Sequence, residues 1–320
     1  MSVILPTYNR VGLLERAVRC VLEQEYRDLE LIIVDDASSD GTPELVGRLE
    51  EEDRRLTFVR LQERRGAAAA RNVGVAHSRG AVLGFQDSDD VWAPEKLGLQ
   101  MEKLRESPPD VAVVYCPVMK LWGVNRQRVP EDLPTPEGFL LRLLEGNFIS
   151  TSAALVRREA FEASGGFDES LPRLQDWELW IRLARQHEFV GVDRTLAVVE
   201  VQPDSISRDP RAYREALALI VEKHEDLFRT RPRELATLYR DLAHFTLLAG
   251  EKGRGLRFLR RSLRLAPSLS RALALVLAAL HPRLYGMATS RLVPSDPQSP
   301  FEDPVPGPDE AGAGRMEGQG

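Results

Sequence analysis

The 320-residue chain has little cysteine: Cys20 and Cys116 are the only two, far apart and without metal-ligand spacing. Both read as small buried apolar residues in a reducing compartment. The five histidines, His77, His187, His224, His244 and His281, form no pair at helical or zinc spacing. No uncharged apolar run reaches the ~18 residues of a membrane span. The chain opens on Val3-Ile4-Leu5 with Pro6 close behind, which leaves no room for a secretory signal, so the expected location is cytoplasmic. An excess of positive charge is also missing. The formal net charge is -6, and nothing global suggests a nucleic acid partner. There is no Gly-x-x-x-x-Gly-Lys-Ser/Thr loop, no Gly-x-Gly-x-x-Gly and no Gly-x-Ser-x-Gly elbow.

What is present is an α/β alternation. Short apolar runs at Ser2–Leu5, Leu29–Val34, Leu56–Leu61 and Ala81–Phe85 are separated by helical patterns at Leu13–Gln24, Thr42 onward and Ala67–His77. Such spacing predicts a mostly parallel sheet covered by helices on both faces. Thr42-Pro43 reads as cap and first helical position. Beyond Pro94 the order is more mixed: strands are expected at Val111–Tyr115 and Ala153–Val156, helices at Pro136–Leu144 and Asp176–Gln186, and an extended segment at Thr195–Val201. Residues 1–208 form one expected domain. Residues 209–292 read as a helical appendage, with Leu247 to Pro267 resembling one tetratricopeptide-type helix-turn-helix unit. Residues 293–320, rich in Pro, Gly and acidic side chains, read as a disordered tail.

Three acidic clusters come after apolar runs, and ligands of open α/β sheets sit beyond the carboxyl ends of the strands. Asp35-Asp36 succeeds Leu31–Val34. A carboxylate there can accept a hydrogen bond from a nucleobase N–H, or the segment is simply a turn. Asp87-Ser88-Asp89-Asp90 succeeds Ala81–Phe85. Its carboxylates repel one another unless a cation is present, and they suit Mg²⁺ or Mn²⁺ bridging a diphosphate. The alternative is a solvated loop capping the helix near Pro94. Asp176, in Gln175-Asp176-Trp177-Glu178, is placed to cap a helix or to act as a general base toward an acceptor hydroxyl.

Taken together, these segments resemble the family 2 glycosyltransferases, which have the GT-A fold. The resemblance rests on Val3-Ile4-Leu5-Pro6-Thr7-Tyr8-Asn9-Arg10, Leu31 to Thr42, Gly66 to Asn72, Phe85 to Trp92, and Gly166-Phe167-Asp168 through Arg182, in this order. It covers about residues 1–207, and it implies roles for individual residues. Pro6, Thr7, Tyr8 and Asn9 would form the nucleotide loop, with Pro6, Tyr8 and Asp36 holding the base and Arg71 supporting the site. Asp87 would face the ribose or sugar, Asp89 would bind Mn²⁺ or Mg²⁺, and Asp90 would be a second contact. Asp176 would be the base for direct displacement with inversion. The implied donor is a nucleotide sugar, with uridine the commonest base in the family, and the acceptor is a hydroxyl, such as one on a lipid-linked glycan.

The chain departs from the family at Glu200-Val201-Gln202, ahead of Ser205-Ile206-Ser207, where many members carry a basic Arg-x-His pattern. That change favours an alternative in which the protein is a catalytically impaired relative that binds a nucleotide sugar or a partner; Arg208 could compensate. A nucleotidyltransferase would need a Gly-rich phosphate loop where Pro6 to Arg10 stand. From Lys252 to Arg291 every charged side chain is basic. This reads either as a helical cap with a solvated basic face or as a peripheral contact with anionic lipid at the inner face of the membrane.

Overall fold

The computed structural model describes residues 1–201, 209–280 and 285. Gln202, Ser205 to Ser207, Arg208 and the expected tail at 293–320 lie outside the described residues. The chain begins as read: β1 (Ser2–Thr7), α1 (Val11–Leu22), β2 (Glu30–Asp35), α2 (Thr42–Glu52), β3 (Leu56–Arg60), α3 (Ala67–Ala76) and β4 (Val82–Phe85). Every residue of β1 and β4 is buried. A strand covered on both faces has no solvent side and therefore carries a continuous apolar run rather than an alternating one. One detail differs. Thr42 is not the cap of α2 but its first residue; Gly41 occupies the capping position, and the Asp40 carboxylate accepts the Thr42 N–H at 3.0 Å.

The second part is more irregular: β5 (Val91–Trp92), α4 (Lys96–Glu106), β6 (Val111–Tyr115), β7 (Val118–Trp122), β8 (Asn125–Val129), α5 (Phe139–Glu145), β9 (Ala154–Arg157), α6 (Arg158–Ala163), α7 (Gln175–Ala184), β10 (Glu188–Gly191) and β11 (Ala197–Glu200). The main sheet has seven strands in the order β10-β6-β9-β4-β1-β2-β3, and β9 runs antiparallel to both neighbours. A second sheet, β5-β11-β7-β8, has four strands. The chain leaves β1 toward β2 and β3, then returns to place β4 on the other side of β1. The carboxyl ends of β1, β2 and β4 therefore open at a reversal of strand order, where open α/β sheets bind ligands.

Five helices complete the chain's described part: α8 (Pro210–Lys223), α9 (Glu225–Arg229), α10 (Pro232–Leu248), α11 (Lys252–Leu265) and α12 (Leu269–Leu280). Leu217, Ile220, Phe228, Leu235 and Leu242 of α8 to α10 join the same apolar core as the main sheet. Helices α10 and α11 form a helix-turn-helix around Gly250, whose φ of 81° suits a residue without Cβ.

Cys116 is buried, as its apolar reading requires, whereas Cys20 is only half-buried; both are free thiols. Between them lies an unusual core residue. Lys96 is fully buried, its ammonium donating to Gln100 Oε1 at 2.7 Å and lying 3.9 Å from the Trp92 ring centroid. Burial pulls its pKa down from 10.5 to about 8. The unfolded chain thus holds more protons than the folded one between these values, and stability rises with pH across that window. The Cys20 thiol, pushed up to about 11 by burial, acts in the opposite sense above its ordinary 9.0. The difference between wild type and a Lys96 variant isolates the lysine. We expect Lys96→Met to be more stable by on the order of 1–3 kcal/mol below pH 8, with the advantage shrinking toward pH 10.5. Urea unfolding across pH measures this; a pH-independent difference refutes it.

Candidate active site

At the carboxyl ends of β1 and β2 two loops are stitched together. Asn9, at a φ of 51°, accepts the Ser39 N–H on Oδ1 at 2.9 Å, and its own N–H donates to Ser38 Oγ at 2.9 Å. A positive φ is tolerated by asparagine better than by most side chains. Pro6 and Thr7 lie in register with Val34 and Asp35. Buried Asp35 accepts the Ser38 N–H on its side chain at 3.1 Å, holding a bend at Ala37 in the Asp-Asp segment. Asp36 does something different: its two oxygens accept the backbone N–H groups of Arg65 and Gly66 at 2.7 and 2.8 Å. Gly66, at a φ of 90°, leads into α3. Asp36 therefore fixes the entry to the helix that carries Arg71. The neighbouring Arg64 guanidinium lies 4.2 Å from the Tyr8 ring centroid, a cation–π contact.

The acidic turn after β4 alternates in exposure. Asp87 and Asp89 are half-buried, while Ser88 and Asp90 are buried. Buried Arg71 donates to Asp87 Oδ1 at 2.5 Å. Asp90 points inward, where Ser152 Oγ donates to its Oδ2 at 2.5 Å and the Glu200 backbone N–H also reaches it. Burial, with the charges of Asp87 and Asp89, pushes the Asp90 carboxyl well above the usual carboxylate range. The turn does not cap α4: β5 intervenes, and α4 starts at Lys96 without a side-chain cap. Because β5 pairs with β11, Glu200 is brought to this turn. Arg16 of α1 bridges them, donating to Glu200 Oε1 and to the Asp89 carbonyl, each at 3.0 Å.

Asp176 is the second residue of α7, not its cap; Leu174, left-handed at a φ of 61°, holds the capping position. Asp176 Oδ1 accepts the Trp177 N–H at 2.8 Å and Oδ2 accepts the Asn147 amide at 3.0 Å. Burial raises its pKa; the Trp177 N–H, the Arg71 guanidinium and the Asn147 amide oppose the rise, and the Asp87 charge adds to it. Asp176, Arg71 and Asp87 are thus close enough to feel one another's charge. Ser152, Arg16 and Asn147 escaped the sequence reading, because a lone Ser, Arg or Asn far from any motif carries no pattern.

Among the described residues no three His, Cys, Asp or Glu side chains converge as a metal cage. The donor chemistry nevertheless fits a hard cation. Asp87 and Asp89 offer carboxylate oxygens from one turn, and Mg²⁺ typically takes one or two carboxylates together with substrate phosphates.

The family model described as Glycosyl transferase family 2 matches residues 2–165. The chain is 42% identical over 212 residues to the putative teichuronic acid biosynthesis glycosyltransferase TuaG of Bacillus subtilis, covering 65% of this chain and 81% of that protein. Some other curated relatives are longer, and the chain spans 35% of the length of one from Rickettsia conorii. Among solved structures, S. aureus TarS 1–349 in complex with UDP-GlcNAc superposes with a TM-score of 0.61 at 19% identity, covering 89% of this chain and 88% of that one. The mannosyltransferase PcManGT from Pyrobaculum calidifontis, in complex with GDP-Man and Mn²⁺, gives 0.59 at 24% identity, covering 90% and 82%. These likenesses establish the GT-A fold. With half the chain matched by the family model and the fold in agreement, the protein belongs to glycosyl transferase family 2.

Proposed function

We propose that this glycosyltransferase moves a sugar from a nucleoside-diphosphate donor, a UDP-sugar first among the candidates, to an acceptor hydroxyl with inversion at the anomeric carbon. The observation that carries the reading is the meeting of the Asp36-anchored loop, the Arg71–Asp87 pair and Asp176 at the strand-order reversal. Pro6, Thr7, Tyr8 and Asn9 line the end of β1 where a nucleobase would lie. The N–H groups of Arg65 and Gly66 already occupy one acceptor site on each Asp36 oxygen, which leaves a lone pair for a base N–H. Asp87, held by Arg71, faces the ribose or sugar, and Asp90 braces the turn from inside.

Ionised Asp176 takes the proton of the acceptor hydroxyl as the new C–O bond forms. The bond from the anomeric carbon to the diphosphate oxygen breaks, and the nucleoside diphosphate departs. A bound Mn²⁺ or Mg²⁺, held by Asp89 and the diphosphate, would supply neutralisation of the charge that builds on the leaving group. Support for this choice comes from the donors and the metal named in the TarS and PcManGT complexes. Residues 1–208 would form the catalytic domain and 209–292 its helical appendage. The acceptor would be a polysaccharide or glycoconjugate, a lipid-linked glycan among them.

Calorimetric titration of UDP, GDP and dTDP with and without Mn²⁺ tests the donor site. We expect metal-dependent binding of one nucleotide, abolished in Asp89→Ala. Asp176→Asn should bind it normally but release nucleoside diphosphate from the sugar donor on the order of 10²–10⁴-fold more slowly. If the folded protein binds no nucleotide, the impaired-relative reading, motivated by Glu200-Val201-Gln202, takes over.

A peripheral contact with anionic membrane is part of the proposal. No helix of the described residues is long and apolar enough to cross a membrane. Yet Leu269, Leu273, Val276 and Leu280, at 91, 48, 54 and 67% exposure, form one stripe on α12. Arg257, Arg260 and Arg264 stand exposed on α11 alongside. Removing residues 209 onward would strip the shared core, so point variants are the sound test. Vesicles rich in phosphatidylglycerol should carry the protein in flotation, less so at high salt, and Leu269→Glu with Leu273→Glu should abolish this. Absence of co-flotation at low salt eliminates the contact.

A further inference from the structure

We infer that Asn147 is a positioning residue: its side-chain amide sets the orientation of the Asp176 carboxylate and favours its ionised form. The inference rests on Asp176 being the base proposed above. Asn147 lies in the segment between α5 and β9, remote from every motif the family resemblance uses. Two indoles of α7 bracket Asn147: Trp177 Nε1 donates to the Leu143 carbonyl of α5 at 2.7 Å, and Trp180 Nε1 to the Ile149 carbonyl, two residues beyond Asn147, at 3.0 Å. Both indoles are buried. The end of α5 and the segment after it are therefore both tied to the helix that carries Asp176, on either side of Asn147.

The amide of Asn147 is itself locked. Its Oδ1 accepts the Ile149 N–H at 3.1 Å, which turns Nδ2 toward Asp176 Oδ2 at 3.0 Å. An amide with its oxygen so engaged cannot flip without losing both bonds. Asp176 Oδ1 is held by the N–H of Trp177 at 2.8 Å. Both carboxylate oxygens are thus oriented by donors, one from the first turn of α7 and one from Asn147. Each keeps a lone pair for an acceptor proton. The charged groups acting on Asp176 are Arg71 of α3 and Asp87 after β4, of opposite sign. Asn147 is a neutral donor that bonds better to the carboxylate than to the acid, so it counters the burial of the group without adding a charge.

Two variants separate orientation from architecture. Asn147→Asp keeps the oxygen that accepts the Ile149 N–H but replaces the amide donor by a carboxylate oxygen facing Asp176 Oδ2, which adds like-charge repulsion to the loss of the donor; Asn147→Ala loses both bonds without adding a charge. We expect both to bind nucleotide as wild type does. With UDP-GlcNAc and Mn²⁺, kcat for release of UDP should fall about 10-fold or more, with KM little changed. The acid limb of the pH profile should move to higher pH. A ¹³C carboxylate NMR titration, with the Asp176 signal assigned through Asp176→Asn, should show that group titrating at higher pH in Asn147→Ala than in wild type. An Asp176 signal titrating identically in Asn147→Ala and wild type overturns the inference, whatever donor the enzyme prefers. Should Asn147→Ala not fold, an Asn147→Asp protein with wild-type kcat and acid limb overturns it instead. Full activity in Asp176→Asn would sink the base assignment itself, whereas an inactive Asp176→Asn beside an unaffected Asn147 pair would sink this inference alone.

Discussion

The site depends on one ion pair, Arg71 with Asp87 at 2.5 Å. Arg71 is buried, and a buried guanidinium is tolerable only with an anionic partner and further contacts. Asp87 supplies the charge, and the face of Phe167 lies 5.4 Å from the guanidinium. In return Arg71 allows an aspartate to stand at the end of β4 beside Asp89 and Asp90, where carboxylates alone would repel. The same guanidinium acts on Asp176. The turn after β4 and the helices α3 and α7 meet at that charge, and the Asp36 contacts to Arg65 and Gly66 hold the start of the helix that bears it.

A second buried charge ties the C-terminal helices to the same machinery. Glu178, within one turn of Asp176 on α7, is fully buried and accepts from Arg182, Lys223 and His224. Burial alone would raise its pKa, but these donors hold it down to about 2. Lys223 of α8 also reaches Asp168 at 2.8 Å. Helix α8 is therefore bound by charge, as well as by apolar packing, to the helix that presents Asp176. Pairing of this kind contributes little net stability, yet it is costly to break and so specifies one arrangement.

Most of the main sheet was legible in the sequence because strands such as β1, β2 and β4 are buried and carry continuous apolar runs; its edge strand β10 (Glu188–Gly191) was not. The hairpin of β7 and β8 was not. Its residues, such as Lys120, Arg126, Gln127 and Arg128, are polar and partly exposed, and their pairing is set by neighbours rather than by propensity. The two-residue β5 is below any pattern length. With no pattern to mark β5, the sequence also allows the acidic turn to cap the following helix, whereas in the fold the turn is separated from α4 and sewn to β11. Leu174 in a left-handed conformation likewise shifted Asp176 from the cap into the first turn, since no propensity argument places leucine there.

By itself the sequence determined most strands of the main sheet, the carboxylates at their ends and the acidic turn, because these are local: an apolar run must be buried, and the residues after it must surface at the sheet edge. Only the tertiary structure decided which partner each of those carboxylates takes. Asp87 and Asp90 are near neighbours of the same type, yet one meets Arg71 and the other Ser152. Arg71 precedes Asp87 by 16 positions and Ser152 comes 62 positions after Asp90. The role of a buried charge is set by its partner, and a partner that arrives from another strand or helix leaves no mark in the local sequence.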